Sequence, residues 1–480
     1  MNDSRMNYNL FIFKCTFFLI CLFCTIISFI FYDASNPFLY VGISLLIELI
    51  SYLFFSYKIR KKIISFSTIF VLILFIFQFG QVVILSFFPG LIKKYNLRIV
   101  LQYFNTTECI YGLRIMNIAF TMFLLGNIVI CKKDSNSISK NLKNKYDNKK
   151  IIEYSKGIIA LTFPVKIVLD LLLITKSFTQ SFTIASRWIQ QVPGFIRAYG
   201  NFSIIGIGLL IVSLKEYPKK QKMVTVGFVL YLLILMFSGW RSENVAYLLI
   251  IFFLYISNSK LPIKKSKYII YLLFTYLILI TLYTIVSVRY SNIRDFSAYY
   301  EMFTRCLFGD KNIILESLRE YGNTGYTTLV VLLRWLPYHA PSFGISYIFG
   351  IFAIFPNITG IPGYLTTLST YALDLQSNNV VLSEYINIGG SILGELFYNF
   401  GIIGGILSSF LLGIIVEKIS FKVKTIFIYN DYYKLILYIP LMYSMIYWIR
   451  DVFSGNIRDI VWGFLFCWFL NKIKYNVKEE

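Results

Sequence analysis

Residues 238–244, Ser-Gly-Trp-Arg-Ser-Glu-Asn, combine residue types that could bind a phosphate at a membrane surface. An apolar run follows them, so Arg241 would open a membrane helix beside the Gly239 turn. Its guanidinium and the positive end of the helix dipole would both attract an anion. The alternative is a local ion pair between Arg241 and Glu243. We predict a catalytic role for Arg241 at a phosphate leaving group.

A second cluster, at residues 333–347, joins an arginine, the single histidine of the chain and several aromatic residues. His339 could act as a general base near neutral pH, and aromatic rings stack on sugar faces. Arg334 precedes it by five positions. The alternative is that His339 is structural and hydrogen-bonded to the backbone.

Glu395, Tyr398 and Asn399 are spaced i, i+3 and i+4 and would share one face of a helix. A carboxylate inside a membrane helix is costly, so its presence indicates a functional site. Glycines flank this face and would let neighbouring helices approach closely; they are Gly389, Gly390, Gly394, Gly401, Gly404 and Gly405. We predict a catalytic role for Glu395 and substrate contacts for Tyr398 and Asn399. The alternative for Glu395 is a buried pair with an arginine that holds the fold.

Motifs of several other enzyme classes are missing from the sequence. It contains no GxxxxGK[ST] phosphate loop, no HExxH helix and no Asp-x-Asp pair. One histidine cannot form a His-based metal cluster, and the seven scattered cysteines indicate neither a zinc site nor a disulfide framework. These absences argue against cytoplasmic nucleotide-sugar chemistry, and we expect no metal and no cofactor.

The composition is that of a membrane protein. Hydrophobic residues make up 57% and charged residues 15%, with a mean hydropathy of +0.67, against about 25% charged residues in soluble domains. The continuous apolar runs predict an all-α polytopic membrane protein with about twelve transmembrane helices. The predicted spans are 10–32, 38–57, 63–88, 110–131, 153–175, 200–214, 223–239, 243–258, 267–288, 391–416, 433–449 and 457–472.

Lysine-rich connections fall on one side of these spans, and by the positive-inside rule that side is the cytoplasm. Both termini are then cytoplasmic. Much of the net charge of +22 is explained by this topology, so we expect no nucleic-acid partner.

Arginine is distributed differently from lysine. Of the 14 Arg, 12 lie in or close to the predicted outer face. Arginine binds phosphate and carboxylate bidentately, which favours an outer cavity for phosphate or acidic sugar. The alternative is chance combined with snorkelling of Arg side chains to the interface. The candidates for substrate binding are Arg187, Arg197, Arg289, Arg334 and Arg450.

The predicted spans divide the chain into three parts. Residues 1–288 carry the first nine helices and residues 391–480 the last three. Residues 289–390 form a large extracytoplasmic loop. This loop contains an amphipathic stretch at 299–321 and two apolar runs, 326–336 and 343–355, that are too short to span and are bounded by prolines. We expect interfacial or re-entrant helices there.

The chain resembles the Wzy family, the O-antigen and capsule repeat-unit polymerases. The resemblance lies in Gly239-Trp240-Arg241, in Phe343 to Tyr347 with Pro356, and in Gly390-Ser391, Glu395 and Tyr398 to Gly401. It implies a C-type glycosyltransferase architecture in the bacterial cytoplasmic membrane, without a metal. It also implies en bloc transfer of a glycan from undecaprenyl pyrophosphate onto the next lipid-linked repeat unit, and a possible chain-length regulator as partner.

The predicted function is therefore polymerisation of lipid-linked repeat units at the outer face of the cytoplasmic membrane. Arg241, with one or more of the other outer arginines, would bind the donor pyrophosphate, and Glu395 or His339 would be the base or orient the acceptor. Two alternatives remain: an O-antigen ligase, which shares the lipid donor, and a flippase or transporter of lipid-linked sugars.

Overall fold

The computed structural model describes most of the chain. The described residues are 2–60, 64–91, 104–132, 148–180, 182–258, 276–277, 279–285, 287–288, 296–309, 312–369 and 390–476. Every regular element among them is a helix. In chain order the α-helices are α1 (Asn2–Ile30), α2 (Leu39–Arg60), α3 (Phe66–Phe87), α4 (Thr106–Ile130), α5 (Asn148–Thr179), α6 (Phe182–Gln191), α7 (Gly194–Asn201), α8 (Ser203–Ser213), α9 (Pro218–Phe237), α10 (Ser242–Asn258), α11 (Phe296–Phe308), α12 (Ile313–Tyr321), α13 (Thr324–Val330), α14 (Ile345–Ile351), α15 (Ile361–Leu368), α16 (Ile392–Tyr429), α17 (Leu435–Trp448) and α18 (Phe453–Asn476).

Eight of the helical runs are long and apolar enough to cross a membrane. They are α1 from Tyr8, α2, α3, α4, α5, the run Gly194–Glu216, α9 and α16. They coincide with eight of the twelve predicted spans. The protein is therefore a multi-pass helical membrane protein.

The four other predicted spans are not among these eight helical runs. Predicted span 243–258 corresponds to α10, which has 17 residues, and span 433–449 to α17, which has 14. Span 457–472 lies within α18, and most of span 267–288 lies outside the described residues. The count of twelve stays a prediction.

The helices begin where the sequence offers caps. The Asn105 side chain accepts the Glu108 backbone N–H at the start of α4, and the Glu108 side chain accepts the Asn105 N–H in return. This capping box satisfies backbone donors that the first helical turn leaves open. Pro218 opens α9, where its missing N–H costs no intrahelical bond.

The chain forms two compact units that do not follow the three predicted parts. Unit 1 comprises Met1–Asn141, Leu318–Lys422 and Trp448–Gly455. Unit 2 comprises Leu142–Ser317, Val423–Tyr447 and Asn456–Glu480. The division at 288 and 390 rests on predicted topology and stays a prediction.

Unit 1 packs its helices closely through glycine. A Cβ at Gly126 of α4 would meet the Phe410 carbonyl of α16, and a Cβ at Gly413 would meet the Phe123 carbonyl. Gly325 of α13 lies in the same way against the α3 backbone. The sequence analysis instead assigned interhelical contact to Gly404 and Gly405. A Cβ at either of these would meet side chains of α16 itself, because the helix is kinked at Gly401.

A buried ion pair joins two membrane helices of unit 1. The Arg60 guanidinium donates to the Glu417 carboxylate, which also accepts the Ser67 hydroxyl at 2.8 Å. Arg60 donates further to Asn127 Oδ1 at 3.1 Å. Although the sequence places Arg60 in a cytoplasmic connection, it is the last residue of α2 and only 5% exposed. Neutral hydrogen-bond partners accompany the pair, as a buried pair requires.

The predicted outer segment contains a series of short helices. The amphipathic stretch at 299–321 is observed as α11 and α12. The first apolar run forms α13 followed by a π-helical turn, Val331–Trp335, and the second forms α14 followed by a 3-10 turn, Phe352–Ile354.

Candidate active site

A caged carboxylate lies at the start of α10 in unit 2. Glu243 Oε2 accepts the Trp240 indole N–H at 2.7 Å. Its Oε1 accepts the Asn201 amide at 3.0 Å and the Tyr247 hydroxyl at 3.1 Å. Three neutral donors from α7, α10 and the preceding turn thus hold the Glu243 carboxylate in one orientation.

One arginine lies near this carboxylate, and a second belongs to the same group of residues. Arg197, on α7, is within electrostatic range of Arg458, Glu243 and Asp459. Its Nε is buried and has no hydrogen-bond partner in the part of the chain that the structure describes. Arg458, on α18, contacts Asp459 with Nε 3.5 Å from Oδ1. Arg197 and Arg458 interact electrostatically with each other, and both interact with Asp459, so together they form a cationic site suited to an anion of more than one charge.

Gly194 leaves space for one of these arginines. It is the first residue of α7, and a Cβ there would collide with Nη1 of Arg458. The absence of a side chain at Gly194 therefore lets the Arg458 guanidinium lie against the α7 backbone.

The turn before α10 is fixed by three separate elements. Gly239 adopts φ +94°, a left-handed conformation that favours glycine. The carbonyls before it are bound from elsewhere, since Ser177 Oγ donates to Ser238 O at 2.6 Å and the Tyr299 hydroxyl to Phe237 O at 3.1 Å. Trp240 packs on Phe182 of α6, with ring centroids 6.3 Å apart. This support positions Trp240 to hold Glu243.

Arg241 follows this turn directly. It is only 7% exposed, and its carbonyl accepts the Val245 N–H at 2.8 Å, so it sits at the head of α10 as the sequence predicts. It is two residues from Glu243. The Glu243 carboxylate is bound by neutral groups, none of them Arg241.

A second polar group lies on the same helices of unit 2. Lys166 Nζ and Asp170 Oδ2 are 3.3 Å apart on α5, and the Tyr231 hydroxyl of α9 also donates to Asp170. The Lys166 ammonium lies over the Tyr247 ring, 5.7 Å from its centroid. Because Tyr247 also binds Glu243, it links this ion pair to the Glu243 cage.

Glu395 of unit 1 has a different set of partners. Its Oε2 accepts the Trp448 indole N–H at 2.6 Å and the Phe453 backbone N–H at 3.0 Å. Glu395 is 1% exposed. It makes no ion pair with an arginine among the described residues. The carboxylate thus fastens the first turn of α16 to the connection between α17 and α18.

Asn399, one turn further along α16, also forms hydrogen bonds that connect α16 to another segment of unit 1. Its amide donates to the Glu395 carbonyl at 2.8 Å, and its Oδ1 accepts the hydroxyls of Ser342 and Ser346, both at 2.8 Å. Gly401 follows with φ +68°, and a Cβ there would approach Cγ of Pro341 to 3.0 Å. The structure therefore packs residues 341–346 against residues 395–401, two of the clusters that the sequence analysis singled out.

His339 stacks on an aromatic neighbour. Its ring is parallel to Trp335, with centroids 3.8 Å apart, and its Nδ1 lies 3.2 Å from the Trp335 carbonyl oxygen. Trp335 in turn contacts Tyr398, with centroids 5.5 Å apart. Both His339 and Tyr398 thus contact the indole ring of Trp335. Arg334 instead forms an ion pair with Glu108 of α4, with Nη2 2.9 Å from the carboxylate.

The remaining predicted residues are spread over the chain. Arg187 is exposed on α6, and Arg450 is partly buried in the turn between α17 and α18. Arg289 lies outside the described residues. Among the described residues no group of three His, Cys, Asp or Glu side chains is placed to hold a metal ion.

Sequence reasoning gave no role to several residues of the unit 2 site. Asn201, Arg458, Asp459 and Lys166 all belong to it. The adjacent pair Arg458–Asp459 at the head of the last predicted span was the available signal, because two opposite charges at a span boundary are costly unless they have partners.

Comparison with known proteins identifies one family. The family model described as "O-antigen polysaccharide polymerase Wzy" matches residues 11–478, nearly the whole chain. No curated protein and no solved structure matches the chain.

Proposed function

Because the chain belongs to the Wzy family of O-antigen polysaccharide polymerases, we propose that it joins undecaprenyl-pyrophosphate-linked repeat units at the outer face of the bacterial cytoplasmic membrane. The growing glycan leaves its lipid pyrophosphate and is transferred en bloc to a sugar hydroxyl of the next lipid-linked unit. The supporting observation is the cationic site of unit 2, where Arg197 and Arg458 meet beside the Glu243 cage.

The donor pyrophosphate gains negative charge as the bond to the glycan breaks. Arg197, Arg458 and Arg241 would stabilise that charge, and guanidinium groups keep their own charge when desolvated. Removal of one such donor from a preorganised site costs about 10²–10³ in rate. Glu243 would balance the charge of Arg197 rather than react, because both of its oxygens already accept hydrogen bonds.

Helix direction supports the same placement. Under the predicted topology α7, α10 and α18 all run from the outer face inward, toward lysine-rich connections. Asn201, the last residue of α7, bridges Glu243 in the first turn of α10 and Asp459 in the second turn of α18. The positive end of the α10 dipole would then lie at the outer face beside Arg241. Both termini would be cytoplasmic.

The predicted site residues of unit 1 would have roles within that unit. Glu395 and Asn399 hold residues 341–346 and the α17–α18 connection, so we assign them a positioning role. His339, partly exposed beside Trp335, would present its ring to a sugar, whereas the buried Tyr398 would support the Trp335 ring. The exposed Arg187 and the partly buried Arg450 would attract the charged substrate, as would Arg289. A chain-length regulator would be an additional protein partner.

Replacing Arg241 with Ala in the host strain tests the donor site. We expect long-chain glycan to disappear while single-repeat glycan stays at its normal level, because ligation would continue without polymerisation. The protein should still insert, as measured by its level in purified membranes. Arg305→Ala is the matched control, since the Arg305 side chain forms an exposed pair with Glu301 on α11.

The same gel separates the other classes of function. A normal ladder of chain lengths in the R241A strain would contradict the role of Arg241. Loss of all attached glycan, including the single repeat, would indicate a ligase instead. Purified protein that elongates lipid-linked repeat units in detergent, without an ion gradient, would exclude a transporter.

A further inference from the structure

Three partly buried carboxylates of unit 2, Glu243, Asp170 and Asp459, differ in how tightly their oxygens are held. Glu243 accepts three hydrogen bonds between 2.7 and 3.1 Å. Asp170 accepts from Lys166 at 3.3 Å and from the Tyr231 hydroxyl by a short bond. A carboxylate so engaged is a poor proton acceptor, since taking a proton would break bonds that favour its charged form.

Asp459 is the exception in this group. Its two contacts, Asn201 Nδ2 at 3.4 Å and Arg458 Nε at 3.5 Å, lie at the outer limit of hydrogen-bond length. Its side chain keeps 15% of its surface exposed. Asp459 thus combines a place beside Arg197 and Arg458 with weakly bound oxygens.

We propose that Asp459 is the general base that takes the proton of the acceptor sugar hydroxyl. This assignment rests on the proposed function. It gives a role to a residue that the predicted site did not contain, and it makes His339 and Glu395 positioning residues.

The step balances as a single displacement. The acceptor O–H proton passes to a carboxylate oxygen of Asp459, and the acceptor oxygen forms a bond to the anomeric carbon of the donor glycan. The bond from that carbon to the pyrophosphate oxygen breaks, and its electron pair leaves with the lipid pyrophosphate. The charge of Asp459 is neutralised while the charge on the pyrophosphate rises beside the two arginines.

Comparison with the other two base candidates favours Asp459. Glu395 is 1% exposed, and its Oε2 accepts bonds of 2.6 and 3.0 Å. His339 has its Nδ1 3.2 Å from the Trp335 carbonyl oxygen. Neither belongs to the unit that holds Arg197 and Arg458.

The charged and titratable groups that face Asp459 come from four helices. They are Arg197 of α7, Glu243 and Tyr247 of α10, Tyr443 of α17 and Arg458 of α18. A base must be ionised to act, and the rate should therefore fall on the acid side of the profile.

The test measures elongation of isolated polyprenyl-pyrophosphate-linked repeat units by the purified full-length protein. Asp459→Asn should lower kcat about a hundredfold or more, the range expected for loss of a general base. It should leave KM within a few-fold and remove the acid limb of the pH–rate profile. Asp459→Glu should restore part of kcat and shift the acid limb. Glu301→Gln, an exposed carboxylate of the same unit, is the control.

The outcomes separate the two proposals. If the wild-type protein does not elongate the repeat units, the proposed function fails. If it does, and D459N keeps its kcat within tenfold with an unchanged acid limb, Asp459 is not the base. Loss of the acid limb in His339→Asn instead would transfer the role to His339. If D459N does not insert in the membrane, D459E decides, because an unshifted acid limb in that variant overturns the assignment.

Discussion

Two glutamates of this protein, the buried Glu395 and the partly buried Glu243, each accept a hydrogen bond from a tryptophan indole, but their other neighbours differ. Glu395 in unit 1 is bound by Trp448 and by the Phe453 backbone N–H. Glu243 in unit 2 is bound by Trp240, and also by Asn201 and Tyr247. Arginines lie beside Glu243, whereas Glu395 has no arginine partner in the described part of unit 1.

This difference separates a structural carboxylate from one that organises a site. The donors to Glu395 come from residues 53 and 58 positions further along the chain, so the carboxylate closes a tertiary connection. Glu243 instead lies within electrostatic range of Arg197, which also interacts with Arg458. A carboxylate inside a membrane helix is therefore not enough to identify a functional site. Its neighbours decide whether its role is structural or functional.

The largest effect is expected from removing the cations of the unit 2 site. The double substitution of Arg197 and Arg458 by Ala should lower elongation at least a thousandfold, because each oxyanion donor contributes about 10²–10³ in rate. The measurement is incorporation of labelled repeat units by membranes with matched protein levels. Elongation within tenfold of wild type would show that these arginines are not needed for the reaction. The Glu243 site of unit 2 would then have no more claim to a functional role than the Glu395 region of unit 1.

Replacement of Glu395 tests the structural side of the comparison. Glu395→Leu leaves the Trp448 and Phe453 donors without acceptors, which should cost about 3 kcal/mol, since each unsatisfied buried donor costs roughly 1–3 kcal/mol. Glu395→Gln keeps one acceptor oxygen and should lose less. Thermal unfolding of the detergent-solubilised protein measures both. Equal melting temperatures for Glu395→Leu and wild type would contradict the anchoring role.

A smaller effect is expected at Gly194. Gly194→Ala should displace the Arg458 guanidinium and lower elongation about tenfold, equivalent to roughly 1.4 kcal/mol of transition-state stabilisation. The fold should tolerate the change, because the colliding atom is the end of a flexible side chain. Gly157→Ala is the matched control, a helical glycine of the same unit with open space around its Cβ position. Equal rates for the two variants would show that Arg458 does not need its present position.

The smallest effect is expected from removing one indole N–H at a time. Trp448→Phe should lower the melting temperature with little change in elongation per folded molecule, and Trp240→Phe should lower elongation. Each change should correspond to roughly 1 kcal/mol, the usual net worth of one hydrogen bond. If the two variants exchanged their effects, the assignment of Glu395 to structure and Glu243 to the site would be reversed.

The sequence predicted the helical membrane class, eight of the spans that the structure contains and the family. Apolar runs of this length have few other solutions in a membrane, because only helices satisfy their own backbone in lipid. The segment 333–347 and the face at 395–399 were both singled out, and the structure packs them together. The partner of Arg334 could not be predicted, since Glu108 lies 226 positions away.

What the sequence determined by itself is local: where helices run, which ends carry lysine, and that Glu395 and Asn399 share a face. Only the tertiary structure decided which polar groups meet. Glu395 was expected to be catalytic or paired with an arginine, and it meets an indole and a backbone amide. The cationic site joins Arg197 to Arg458, which no spacing could relate. Helical periodicity fixes the face on which a residue lies, but the register between packed helices, which sets the partner on that face, depends on contacts along their whole length.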